Sequence, residues 1–179
     1  MTMKFCFATK TEKAQSLPGD ELVDAPTIAS THAVTIKSPV EKVWPWLVQI
    51  GQDRGGFYSY TLLENLLGCQ MKNASQINPA WQSLSEGDAV QLHPKFPPMQ
   101  VEKIKNESHL VLWQQPRFDW VWAFVLIRVS QNETRLLVRT RISSDRWIVN
   151  VLLYPVMTLG HYMMERKMLL GIKRRSETD

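Results

Sequence analysis

Polar and apolar residues alternate from His32 to Lys37, the period of a strand with one buried face. The period then changes. Ser38, Pro39 and Glu41 read as a capping box, and Val43, Trp44, Leu47 and Val48 form a stripe at helical spacing. Pro45 inside that stripe removes a backbone donor and predicts a kink. Gly51, Gly55 and Gly56 then mark a loop with unusual dihedrals. A second short helix follows, with Thr61 and Glu64 as its capping box and Gly68 as its stop. From Gly87 the period is that of strands: Ala89 to His93, Met99 to Lys105, Ser108 to Gln114, Val121 to Val129 and Thr134 to Ile142. Turns at Lys105-Asn106-Glu107 and Ser130 to Glu133 are short enough for an antiparallel meander. In the last strand Leu136, Val138, Thr140 and Ile142 share one face, and Arg135, Leu137, Arg139 and Arg141 the other.

Asp145 to Ser176 reads as a helix, bent or divided at Pro155. At 100° per residue, Met157, Gly160, His161, Met164, Met168, Gly171 and Ile172 fall on one face, widened by Val156, Met163 and Leu170. Thr158, Tyr162, Glu165, Arg166, Leu169 and Lys173 lie opposite. Two glycines on the buried face point to close approach of a strand, or to room left for something else. Residues 1–30 hold Pro18, Gly19, Asp20 and Pro26 without a period and read as an extended arm laid on the domain, or as partly disordered; 31–179 read as a single domain. The elements predict an α+β fold: a curved antiparallel sheet of six to seven strands wrapped around a long C-terminal helix, with two short helices after the first strand.

Composition adds exclusions. The chain has 179 residues, 44% hydrophobic and 21% charged, which rules out a disordered or collagen-like protein. The most apolar run, Trp147 to Leu159, is broken by Asn150 and Pro155, so no transmembrane segment is expected. Net charge is +4, made of −2 in residues 1–90 and +6 in residues 91–179. That basic half is either a solvated face or a docking surface for an acidic partner, a membrane surface or nucleic acid. No nucleic-acid signature accompanies it, and no nucleic-acid partner is expected. The N-terminus lacks the apolar run of a secretory signal, and Cys6 and Cys69 form no paired motif, which predicts a cytoplasmic protein with free thiols.

The stretches LPGDELV at Leu17 to Val23, AVTIKSPVEKVWPWLVQIGQDRGGFYSYTLLENLLGC at Ala33 to Cys69, and MERKMLLGIKRR at Met164 to Arg175 resemble one bacterial branch of the START-like, or SRPBCC, superfamily. That branch is described as polyketide cyclase/dehydrase-like. Where its pattern has Asp, this chain has Thr61. The resemblance implies the helix-grip fold and a START-like domain over 31–179. It implies a cavity between sheet and last helix that takes a lipid, polyketide or similar hydrophobic or amphipathic molecule, and no cofactor. Relatives that are cyclases imply an alternative, a cofactor-free enzyme acting on a carbonyl-bearing substrate. A module that uses the basic C-terminal half for interaction is a further alternative.

Candidate residues follow, each with two readings. Asp53 and Arg54 are a ligand-orienting pair at a cavity mouth or a loop-stabilising pair. Tyr58 and Tyr60 offer a ligand an apolar body and a polar tip, or pack the loop. Glu64 is a general acid/base or the capping partner of Thr61. His161 is the candidate for proton transfer, or a core histidine. Met164 and Met168 would form apolar wall, or ordinary core. His32, His93 and His109 show no ligand spacing with His161, and no metal site is expected. Arg139 and Arg141 read as outward and solvated, or, if the sheet curls the other way, as selectors of an anion.

Overall fold

A computed structural model gives the structure of residues 6–115, 119–143 and 154–178, with side chains of the last stretch described from Gly160. Six strands form one antiparallel sheet: β1 (Ile28–Ile36), β2 (Ala89–Val90), β3 (Met99–Lys105), β4 (His109–Gln114), β5 (Asp119–Ser130) and β6 (Glu133–Ser143). Their order is β1-β6-β5-β4-β3-β2, a meander from β2 to β6 with β1 beside its last strand. The helices are α1 (Lys10–Ala14), α2 (Val40–Val48), α3 (Thr61–Leu66) and α4 (Tyr154–Glu177). This is the α+β arrangement that the sequence periods predict. Among the described residues no helix is long and apolar enough to cross a membrane.

Alternation sorts each strand into two faces. Val34 and Ile36 of β1, Leu110 and Leu112 of β4, Trp122, Phe124 and Leu126 of β5, and Leu136 and Val138 of β6 face one core. Val43, Leu47 and Val48 of α2 and Met168, Leu169 and Ile172 of α4 fill it from the other side. The opposite face carries Ala33, Leu137 and Val125, covered by Ala8 and Leu17, and Val111, Val121 and Ala123, covered by Leu22 and Val23. Residues 6–27 form the arm. They hold α1 and a 3₁₀ turn at Asp20–Leu22, and they lie against the outer face of the sheet.

Arg139 and Arg141 do face outward, as the β6 pattern predicts, but they are not solvated. Arg139 is buried beneath the arm. It donates to the carbonyls of Glu12 (2.8 Å), Lys13 (3.0 Å) and Gln15 (2.9 Å), to the Asp20 carboxylate (2.5 Å) and to Thr31 Oγ1 (3.1 Å). Arg141 donates to the carbonyls of Val23 and Asp24. A guanidinium offers five donors in a fixed fork, which lets one side chain hold several loop carbonyls at once.

Helix starts depart from the expected capping boxes. α2 begins at Val40 with no side-chain cap, because Pro39, not Ser38, stands at the N-cap and Glu41 reaches Arg128 instead. α3 has Tyr60 at its N-cap and no side-chain cap; Asn73 Nδ2 donates to Thr61 Oγ1 instead. Pro45 sits inside α2 without ending it. α4 is described from Tyr154, so the expected helix over Asp145 to Leu153, and the place of Met157's side chain, lie outside the described residues.

The buried face of α4 is rotated from the expected one. Glu165, Met168, Leu169, Gly171, Ile172 and Ser176 are buried, while Gly160 and Met163 are exposed. The two glycines differ accordingly. A Cβ on Gly171 would meet the Tyr58 carbonyl oxygen and lie 2.8 Å from Tyr58 Cβ, whereas one on Gly160 meets nothing within 4 Å. The close approach is thus made by the glycine-rich loop, not by a strand. Gly171→Ala is expected to lower stability by about 2 kcal/mol, the clash outweighing a helix gain of about 1 kcal/mol. Gly160→Ala should raise it by roughly 0.5–1 kcal/mol. Urea unfolding of both variants checks this: a neutral Gly171→Ala would mean that the loop yields.

Candidate functional site

The register places Ser30, Thr140 and Trp122 in one row across β1, β6 and β5. By alternation with Val34 and Ile36, Ser30 and His32 look toward α4. Over this row the helix lowers Glu165, whose side chain is 1% exposed. A carboxyl taken out of water must be surrounded by donors. Glu165 has three. His32 Nδ1 pairs with Oε2; Trp122 Nε1 (3.2 Å) and Thr140 Oγ1 (3.3 Å) donate to Oε1. One turn back on the helix, His161 Nε2 lies 3.2 Å from Thr140 Oγ1 and 3.6 Å from Glu165 Oε1. The result is a buried Glu with two imidazoles, a hydroxyl and an indole at the middle of an otherwise apolar inner face. Tyr162 tilts over the His32 ring (5.0 Å between centroids), and Phe7 stacks on Tyr162 (6.0 Å) from the end of the arm.

Beside this cluster several polar atoms are buried without a partner: Ser30 Oγ, Trp120 Nε1 and Tyr162 Oη. Such orphans are rare in folded proteins and cost about 1–3 kcal/mol each. Ser30 is cross-strand from Thr140, and Trp120 precedes Trp122 by two on the same strand face. An indole N–H can only donate. Glu64, apart from this cluster, is a further case: it is 2% exposed, and neither carboxyl oxygen has a partner. Burial pushes its pKa up to about 7. Among the described residues no group of three or more His, Cys, Asp and Glu is arranged to hold a metal ion.

The other candidates lie apart from this cluster. Asp53 is exposed at φ +59°. Arg54 does not pair with it but donates to the carbonyls of Val48 (3.0 Å) and Trp81 (2.7 Å), tying the loop to the end of α2. Tyr58 is buried, donates to the Trp46 carbonyl (3.0 Å) and lies under the Arg175 guanidinium (4.7 Å). Burial pushes its phenol well above the usual range. Tyr60 is half-buried beneath Lys167. Met168 belongs to the main core, and half-buried Met164 takes the Ser59 hydroxyl on its carbonyl oxygen (3.0 Å). Glu64 is not engaged as a capping partner, since its carboxyl is unpaired.

Three members of the cluster escape a reading of the sequence. Glu165 falls on the polar side of the α4 wheel and looks solvated. His32 lies 133 residues from Glu165, and Thr140 looks like a strand filler. Two signals do exist. His161 and Glu165 are four apart on one helix, hence neighbours on its surface. His32 has the inward parity of Val34 and Ile36.

Neither a protein-family model nor a curated protein matches this sequence. Solved structures do. The KanY protein, known from a solution NMR structure, matches at 10% identity and TM-score 0.53, over 84% of this chain and 98% of that one. Protein CV1439 from Chromobacterium violaceum matches at 9% and 0.50, over 84% and 98%. Protein MLL2253 from Mesorhizobium loti matches at 19% and 0.48, over 82% and 98%. At such identities the first two of these show what the strand order already shows, an α+β fold in which one antiparallel sheet carries a C-terminal helix.

Proposed function

We propose that this protein binds a small hydrophobic or amphipathic molecule between its sheet and α4, with the polar end of that molecule beside Glu165, His32 and His161. The observation that carries the reading is the set of unpartnered buried donors around that cluster, Ser30 Oγ, Trp120 Nε1 and Tyr162 Oη. A wall that is apolar except for a few convergent polar groups is the usual lining of a small-molecule site. The resemblance to START-like proteins supports the same reading. Unpaired donors favour a molecule with an acceptor oxygen, such as a carbonyl or carboxyl.

Native mass spectrometry of protein purified from its own cells tests this. A reproducible small molecule is expected on the native chain. Trp120→Phe removes one orphan donor, so the free protein should lose only what the smaller ring gives up in packing, while retention of the molecule should fall about tenfold, as expected for one lost hydrogen bond. An empty native protein, or equal retention by Trp120→Phe, overturns the reading.

A second reading, a cofactor-free enzyme, is favoured by the His161–Glu165 pair. Thr140 and the carboxyl hold one imidazole in place, the arrangement a general base needs. His161 would take a proton from carbon next to a carbonyl, leaving an enolate whose oxygen is held by a nearby donor. Glu64, unpaired and titrating near neutrality, is the other candidate base. Turnover that survives both His161→Ala and Glu64→Gln removes this reading.

A further inference from the structure

α3 is amphipathic the wrong way round. Its acid, Glu64, is inside, while Leu62 is 83%, Leu66 82% and the following Leu67 73% exposed, with Leu63 half-exposed beside them. Leu62 and Leu66, and Leu63 and Leu67, are four apart and so adjacent on the helix surface. Exposed Phe96 extends the patch: its ring lies 4.7 Å from that of His93, whose Nε2 lies 3.1 Å from the Leu67 carbonyl oxygen. Contiguous apolar surface of this kind on a folded chain marks an interaction site.

Cations border it. Lys167 sits over the ring of Tyr60, the α3 N-cap (5.3 Å). Exposed Lys72 follows Met71, whose backbone is held at both N–H and carbonyl by the Asn65 side chain. Lys95 donates its N–H to His93 Nδ1 (3.1 Å). Residues 57–75 and 91–100 contain one acid between them, Glu64, and it is buried. The patch is an apolar plateau with a positive rim.

We propose that this leucine face docks the protein on an anionic lipid bilayer, the leucines and Phe96 entering the acyl boundary and Lys72, Lys95 and Lys167 meeting headgroups. The charge decides between occupants. A second copy seated on the same face would bring two lysine rims together, which is unfavourable, whereas an anionic surface complements them. Shallow interfacial burial of an apolar face beside basic residues is how helices rest on membranes. The inference uses none of the residues around Glu165 and stands without the ligand reading.

Vesicle flotation tests it, with phosphatidylcholine alone and with equal parts phosphatidylcholine and phosphatidylglycerol. Binding is expected on the mixed vesicles, at least about tenfold weaker on phosphatidylcholine alone, and weakened by salt. Leu66→Glu should reduce it at least about tenfold without changing the melting temperature, because Leu66 packs against little. Lys95→Glu should weaken it less. Three results overturn the proposal. One is no binding by the native protein. Another is binding that Leu66→Glu leaves intact, which would move the contact elsewhere, for example to Arg174 and Arg175. The third is a concentration-dependent dimer that Leu66→Glu dissolves.

Discussion

Glu64→Gln is expected to leave stability unchanged below about pH 4 and to raise it by about 2–3 kcal/mol above pH 7. The cause is the burial of a carboxyl with no partner on either oxygen. Burial raises its pKa from 4.5 to about 7, so the folded chain holds this proton more tightly than the unfolded one. Below pH 4.5 both states are protonated and the group is neutral to folding. Between about pH 4.5 and 7 the unfolded chain ionises first, and stability falls by at most about 1.4 kcal/mol per pH unit. Above pH 7 both states are ionised and the loss is constant. Glutamine cannot ionise and is close in shape, so the variant should lack this slope. Urea unfolding at a series of pH values measures it. Parallel pH profiles for the two proteins would show that Glu64 finds a partner or water. The prediction also separates the two readings of this residue, because a capping glutamate would be ionised and stabilising at neutral pH.

How far the sequence reveals this molecule depends on whether a feature is local. The meander is local: β3 is expected at Met99 to Lys105 and found there, and the turns at Asn106 and Asn132 lie where strand periods break. The two faces of β6 follow from alternation alone. Features that depend on a distant partner are not legible. Ser38 and Glu41 form a capping box on paper, but the helix starts one residue later with Pro39 at its N-cap, and Arg128, 87 residues away, takes the Glu41 carboxylate. Asn73 stands in no predicted element, yet its side chain accepts from the Tyr58 N–H and donates to the Ser59 carbonyl, holding the glycine-rich loop. His161 can be singled out because it lies on an apolar face of a periodic helix. Glu165 cannot, because a helical wheel assigns every acid to water, and what takes this one inside is donors from β1, β5 and β6. Tyr58 and Arg54 have the chemistry of ligand contacts, but main-chain carbonyls reach their polar tips first.

Arg139→Met should cost about 3–5 kcal/mol, the range for removing one partner of a buried, hydrogen-bonded charge. Methionine fills a similar volume but donates nothing. The carbonyls of Glu12, Lys13 and Gln15 would lose their donor, and Asp20 would keep a charge facing Arg141 alone, 3.6 Å away. The arm is then held less firmly, by Arg135 on Glu12, by Arg141 and by apolar packing, and its departure uncovers Val111, Val121, Ala123, Val125 and Leu137 on the outer sheet face. Stability and arm docking are thus coupled through one side chain, so both should move together. Denaturant unfolding should give a lower midpoint, and trypsin should cut the folded variant after Lys10 or Lys13, in α1. Arg128→Ala is the control. Its partner Glu41 is on the surface and half-exposed, so its loss should change stability little and leave the arm resistant. A small effect at Arg139 with a protected arm would mean that Arg135, Arg141 and the packing of Leu17, Leu22 and Val23 are enough to hold the arm. A large effect means that residues 6–27 belong to the fold, and that a chain starting at residue 31 would leave Arg139 only Thr31 of its present partners.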